Sequence, residues 1–142
     1  MADITVTGAQ VGLVDPNKAT LFEGIASVAI DAGEIVYIDA STGKLALADG
    51  SAAGTANARG AALSSVGAGQ AVTCVKEGAV YGYTVSSLAY DLHLYVSDTA
   101  GALGTGAGDA TVDVIVARVI GLTDNSLTKV VYFDFDWRTE QA

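Results

Sequence analysis

Apolar and polar positions alternate most clearly in a unit of strand, tight turn and strand that occurs twice. In the first copy, Ile35–Ile38 is a short β-branched and aromatic run that suits a pleated, half-buried strand. Residues 40–43 bring turn chemistry, with Ser41 and Thr42 able to bond the backbone and Gly43 free to take positive φ. Leu45 and Leu47 then alternate with Lys44, Ala46 and Ala48, which predicts a second strand. In the second copy, Tyr95, Val96, Gly101 and Leu103 repeat Tyr37, Ile38, Gly43 and Leu45 in register. The sequences that follow also match. Residues 59–63, from Arg59, are echoed by 118–122, from Arg118, and residues 70–75 by 128–133. Each half predicts a hairpin, a Gly/Ala loop, an Arg-containing strand, a turn and a last strand. Duplication of this order points to one body with an internal pseudo-repeat.

The rest of the chain is placed around these copies. Ile4 and Val6 alternate with Thr5 and Thr7, until Gly8, Gly12 and the run Asp15, Pro16, Asn17 break the pattern. Pro16 fixes its own φ and biases Asp15 toward an extended conformation. Residues 1–18 are therefore expected to form an extended N-terminal arm, weakly packed on its own body, with Ile4, Val6, Val11, Leu13 and Val14 available to a partner. An ordinary edge strand fits the same pattern equally well. Residues 19–142 are expected to form a single β domain. Within it, residues 49–58 read as a flexible loop and 101–108 as a second one. Residues 71–75 and 79–85 read as two strands separated by a turn at Glu77 and Gly78, with Tyr81, Tyr83 and Val85 on one face. Residues 112–120 form the most buried-looking strand. In the last element Val131, Phe133, Phe135 and Trp137 alternate with Val130, Tyr132, Asp134 and Asp136. Phe133, Phe135 and Trp137 are accordingly expected in the core or at a subunit interface, and residues 138–142 as a short polar tail. No segment carries a long apolar stripe at the helical period. The expected fold class is all-β, a small barrel or sandwich of short strands.

Composition narrows the function. A chain of 142 residues is long enough for one domain with a real core. A mean hydropathy of +0.42 is high for a soluble monomer. Asp113 and Arg118 interrupt the longest apolar run, residues 112–122, so a membrane span does not account for it. Apolar surface buried between chains does. A net charge of −9, with seven scattered Lys and Arg, argues against nucleic acid. The start of the sequence lacks the basic and apolar regions of a signal peptide. Cys74 stands alone in a strand pattern and reads as a small buried hydrophobe. Cytoplasmic folding, stabilised by packing rather than disulfides, is the simplest expectation.

The candidate chemistry is thin. Asp134 and Asp136, two apart on one strand face, could serve glycoside hydrolysis or a hard cation, but they read better as a solvated face. His93 is the only histidine, so no His cluster can hold a metal; a Ser–His–Asp triad would need this residue, which sits in a strand pattern beside Tyr95, and the sequence has no Gly-x-Ser-x-Gly elbow. Residues 101–108 are glycine-rich without the Gly-Lys-Ser/Thr ending that holds phosphate. No catalytic residue, cofactor or metal is expected, and the remaining classes are binding and structural proteins. One candidate is a carbohydrate-binding module or adhesin-type β domain with Tyr81, Tyr83 and Trp137 as a stacking platform.

The chain also resembles the small capsid decoration, or cement, proteins of tailed bacteriophages. The likeness runs from the N-terminus to about Val131. It is carried by Met1-Ala-Asp-Ile-Thr-Val-Thr7, by Ala32-Gly-Glu-Ile-Val-Tyr-Ile-Asp39 with Thr42-Gly-Lys44, and by Leu47-Ala-Asp49. Arg59-Gly-Ala-Ala-Leu63 with Gly69-Gln-Ala-Val-Thr73, and Leu94-Tyr-Val-Ser97 with Ala100-Gly101, complete it. These motifs are turn glycines and alternating strands rather than catalytic signatures. The aromatic end, residues 132–137, departs from the pattern. The resemblance implies a β-barrel-like domain that sits as a homotrimer on the outer capsid surface of the virion after synthesis in the host cytoplasm. Its partners would be the major capsid protein and itself, with neither nucleic acid nor membrane involved, and its role would be to stabilise the shell against internal DNA pressure.

Overall fold

The structure is a computed structural model and describes residues 3–105, 114–122 and 128–137. Ten strands are found among these: β1 (Gly12–Leu13), β2 (Thr20–Ile25), β3 (Ile35–Ile38), β4 (Leu45–Leu47), β5 (Ala58–Ala62), β6 (Ala71–Tyr81), β7 (His93–Val96), β8 (Leu103–Gly104), β9 (Ile115–Gly121) and β10 (Lys129–Asp134). They form one antiparallel sheet in the order β4-β3-β5-β6-β10-β9-β7-β8, with β1 and β2 also paired to β6. The sheet curls into a half-barrel, so the all-β expectation holds. Parts of the expected loop at 101–108 and strand at 112–120, and the tail at 138–142, lie outside the described residues.

The pseudo-repeat is visible as pairing. In the first half β3 pairs β4 and β5, and β5 pairs β6; in the second, β7 pairs β8 and β9, and β9 pairs β10. The hairpin registers coincide: Ile38 faces Leu45, and Val96 faces Leu103. Gly43 and Gly101, the equivalent turn residues, both have positive φ, 72° and 80°. A register irregularity falls between Val36 and Tyr37 in one half and between Leu94 and Tyr95 in the other, the same step of the repeat. The third strands differ from the expected alignment. Val36 faces Gly60 whereas Leu94 faces Ala117, so Arg59 and Arg118 are not equivalent positions. A slip of two residues keeps every side chain on its face, which is why alternation alone did not fix it.

β6 is shared by the two halves. Its first part has β5 on one side and β2 on the other, with Val75 facing both Ala61 and Leu21. Its second part has β10 and β1, with Val80 facing both Val131 and Leu13. The expected turn at Glu77 and Gly78 is not formed. The strand runs through, and Gly78 takes a φ of 147° that few other residues adopt. A Cβ there would stand 2.9 Å from that of Ala19. Gly82, with a φ of 104°, then ends the alternation, so Tyr81 and Tyr83 do not share a face: Tyr81 is exposed and Tyr83 is buried.

The larger core joins both halves. Phe133 and Phe135 are fully buried in it, with stacked rings 5.2 Å apart, and Tyr83 meets Phe133 edge-on at 5.5 Å. A smaller core under the first hairpin contains Ile30, Val36, Leu45, Val72 and Cys74. Residues 49–58 are more ordered than a flexible loop. The Asp49 carboxylate accepts from the Ser51 N–H and from the Ser51 and Thr55 hydroxyls, and a short helix, α1 (Ala53–Ala56), buries Ala56. Local Asx bonding of this kind orders a segment that composition alone describes only as polar and small.

The N-terminal stretch departs most from expectation. It is extended, but it is laid on its own body. Ile4 is buried in the larger core, and its N–H donates to the Leu103 carbonyl at 2.9 Å. Thr7 N–H donates to Gly82 and Thr84 N–H to Thr5, while Val14 N–H reaches Ala79. Ser97 Oγ donates to the Asp3 carboxylate. Val6, Val11 and Leu13 are half-buried against the same core. The reason is a β-ladder opportunity that sequence could not reveal: Ile4 closes the second half at Leu103 as Ser27 closes the first, by donating to the equivalent carbonyl of Leu45 at 2.8 Å.

Candidate interaction surface

β2 is built by a short alternation. Phe22 and Gly24 face the smaller core and Leu21, Glu23 and Ile25 face outward. Gly24 is small because the Leu45 side chain fills the space where a Cβ would sit, at 2.9 Å. Phe22 lies over Gly60, where a Cβ would come within 2.4 Å of its ring. The end of the strand is fixed by Ala26 N–H donating to Gln70 and Ser27 N–H to Leu45. β2 pairs β6 along one edge, and among the described residues no strand pairs its other edge between Thr20 and Ile25. Leu21 and Ile25 are 43% and 42% exposed, and Val28 just beyond them is exposed as well. Sequence reading missed this surface, because the spacing of residues 19–30 fits neither period cleanly.

Of the sequence-predicted positions, Ile4 is removed from any partner by burial, and Val6, Val11, Leu13 and Val14 keep only part of their surface. Val14 lines a shallow apolar groove of about 190 Å³ with Ile120, Val130 and Tyr132. Phe133 and Phe135 are core residues; Trp137 is not, and stays 39% exposed. Its indole Nε1–H donates to the Arg59 carbonyl at 2.7 Å, its ring meets Phe22 edge-on at 4.8 Å, and Arg59 donates back to the Asp136 carbonyl. These bonds staple the end of β10 to the start of β5, where the two strands meet along β6.

Asp134 and Asp136 are exposed and Glu77 faces Asp134 across the ladder. Desolvation raises the pKa of the Tyr132 hydroxyl, and the Glu77 and Asp134 charges add to the shift. His93 faces Arg118 in the β7–β9 ladder. Among the described residues no three His, Cys, Asp or Glu side chains gather as a metal site. The suggested stacking platform is dispersed: Tyr83 is buried with its hydroxyl donating to the Gly33 carbonyl at 2.7 Å, and Trp137 is held against Phe22. Burial raises the Tyr83 pKa and pushes the Cys74 thiol up to about 12, so both are held neutral. Glu34 is raised as well, first by desolvation, with the Asp31 N–H pulling the other way.

Compared with protein-family models, characterised proteins and solved structures, the chain has no match. The class that its structure defines is that of the fold, an all-β protein on a curled antiparallel sheet.

Proposed function

We propose that this chain is a structural capsid decoration protein that binds the outside of a phage head as an oligomer and braces the shell against internal DNA pressure. The observation that carries the reading is the surface. An acidic body with a net charge of −9 presents a strand edge that is unpaired among the described residues, with Leu21 and Ile25 outward, which suits attachment to protein and not to nucleic acid. The resemblance in the two hairpins supports it from the sequence side. Attachment belongs to the body rather than to a free arm, because Ile4 is spent on the core. Repeated weak contacts suffice when several subunits engage together, since avidity can exceed a single affinity by roughly 10²–10⁴.

The test is co-sedimentation of the full chain with undecorated, expanded heads, followed by a count of bound copies. Saturable binding at a fixed ratio to the coat protein, together with greater resistance of the heads to chelator or heat, is the expected result. Absence of binding, or binding to a glycan array instead, would overturn it.

A further inference from the structure

We infer that the open edge of β2 receives an extended strand from a protein other than this chain, one that places a lysine or arginine between two apolar side chains. The identity of that protein as a shell subunit rests on the function proposed above; the edge itself does not.

The molecule supplies a template for the occupant. Within the repeat, the second part of β6 stands beside β10 as β2 stands beside the first part of β6. The outer edge of that second part is covered. β1 lies on it, with Gly12 opposite Tyr81 and Leu13 opposite Val80, and Val14 N–H donates to Ala79 at 3.0 Å. A short, extended, apolar segment is therefore what fills this edge in one half, and in the other half the equivalent edge of Thr20–Ile25 is open among the described residues. An uncovered edge leaves alternate N–H and C=O groups facing outward, ready for a further strand.

Charge selects the occupant. Glu23 is the one charged residue of β2, exposed between Leu21 and Ile25 on the same face. Lys18 precedes the strand by two residues, and Glu77 faces Thr20 at its start. A cross-strand partner of opposite charge is favoured at Glu23 and a like charge is not. A second copy of β2 fits poorly. In the same-face antiparallel registers that overlap most of the strand, its Glu23 falls opposite Glu23 or opposite Leu21. An apolar–basic–apolar strand instead matches Ile25, Glu23 and Leu21 in turn.

The test uses the full chain, isotope-labelled, and two capped peptides, Thr-Val-Lys-Val-Thr and Thr-Val-Glu-Val-Thr. The lysine peptide is expected to shift the amides of residues 20–25 saturably and to bind severalfold more tightly than the glutamate peptide. Glu23→Lys should reverse that preference, and Glu23→Gln, which keeps shape, should remove it. Equal binding of both peptides, shifts centred elsewhere, or no binding would overturn the inference. So would a Glu23→Gln protein that self-associates through β2, because the occupant would then be a second copy. A discriminating peptide pair alongside heads that bind no protein would uphold the edge and remove the capsid reading.

Discussion

At the residue scale, burial decides what the polar atoms can do. Tyr83 could have been a surface aromatic, but Gly82 turns it inward, where its hydroxyl has one protein partner, the Gly33 carbonyl. Cys74 lies among Val36, Leu45 and Val72, whose apolar side chains do not stabilise a thiolate. Both groups are raised by desolvation, so the folded state holds protons that the unfolded chain gives up. For Cys74 the stability is fully present below the unfolded value near 9.0 and is lost as pH rises toward about 12. Tyr83 adds to the loss from 10.0 upward. The urea midpoint is therefore expected to be flat from pH 7 to about 8.5 and to fall steeply by pH 11. Cys74→Ala should flatten part of that fall; an unchanged slope in the variant would mean that the thiol ionises without opening the core.

Elements at the two ends of the chain are structural. Deleting residues 2–15 removes Ile4 from the core, β1 from β6 and the closing bond to Leu103. Loss of one buried large aliphatic side chain alone costs about 2–5 kcal/mol. The truncated protein is expected to unfold at a markedly lower urea midpoint or to fail to fold; if it melts with the full chain, the stretch is an appendage after all. The C-terminal staple is lighter. Trp137→Ala removes one edge-on ring contact and one hydrogen bond, together worth about 1–3 kcal/mol. The variant should melt a few degrees lower while circular dichroism keeps its strand signature, since Phe133 and Phe135 hold β10 independently. A loss of sheet signal would make the staple essential to the join between the halves.

For the whole molecule, the repeat gives one sheet two closing points and, among the described residues, leaves the outer edge of β2 unpaired. The larger core runs through both halves, so unfolding is expected to be a single transition rather than two. Beyond that core, Leu21, Ile25, Val28, Ile38, Tyr81, Tyr90 and Ile115 are all exposed. Light scattering at micromolar concentration is expected to give the mass of a trimer. A monomer would assign this apolar surface to the shell or to the β2 partner instead of to neighbouring copies.

The sequence by itself determined the two hairpins, their alignment with each other and the all-β class, because these rest on local alternation and on glycines that a tight turn requires. Period two alone also set Phe133, Phe135 and Trp137 on one face, for a core or a subunit interface, and Asp134 on the other; Phe133 and Phe135 are in the core and Trp137 is not. Only the tertiary structure decided the rest, and for one physical reason: pairing between distant strands is not written in the period of either. Ile4 has the same local pattern whether it swings free or bonds Leu103, and the two-residue offset between the repeats leaves every face unchanged. The long strand β6 needed Gly78 to be extended through a φ of 147° rather than turned, a choice set by Ala19 and β10 packed beside it. That the outer edge of β2 is unpaired among the described residues depends on what lies beside it, and no single segment of sequence carries that information.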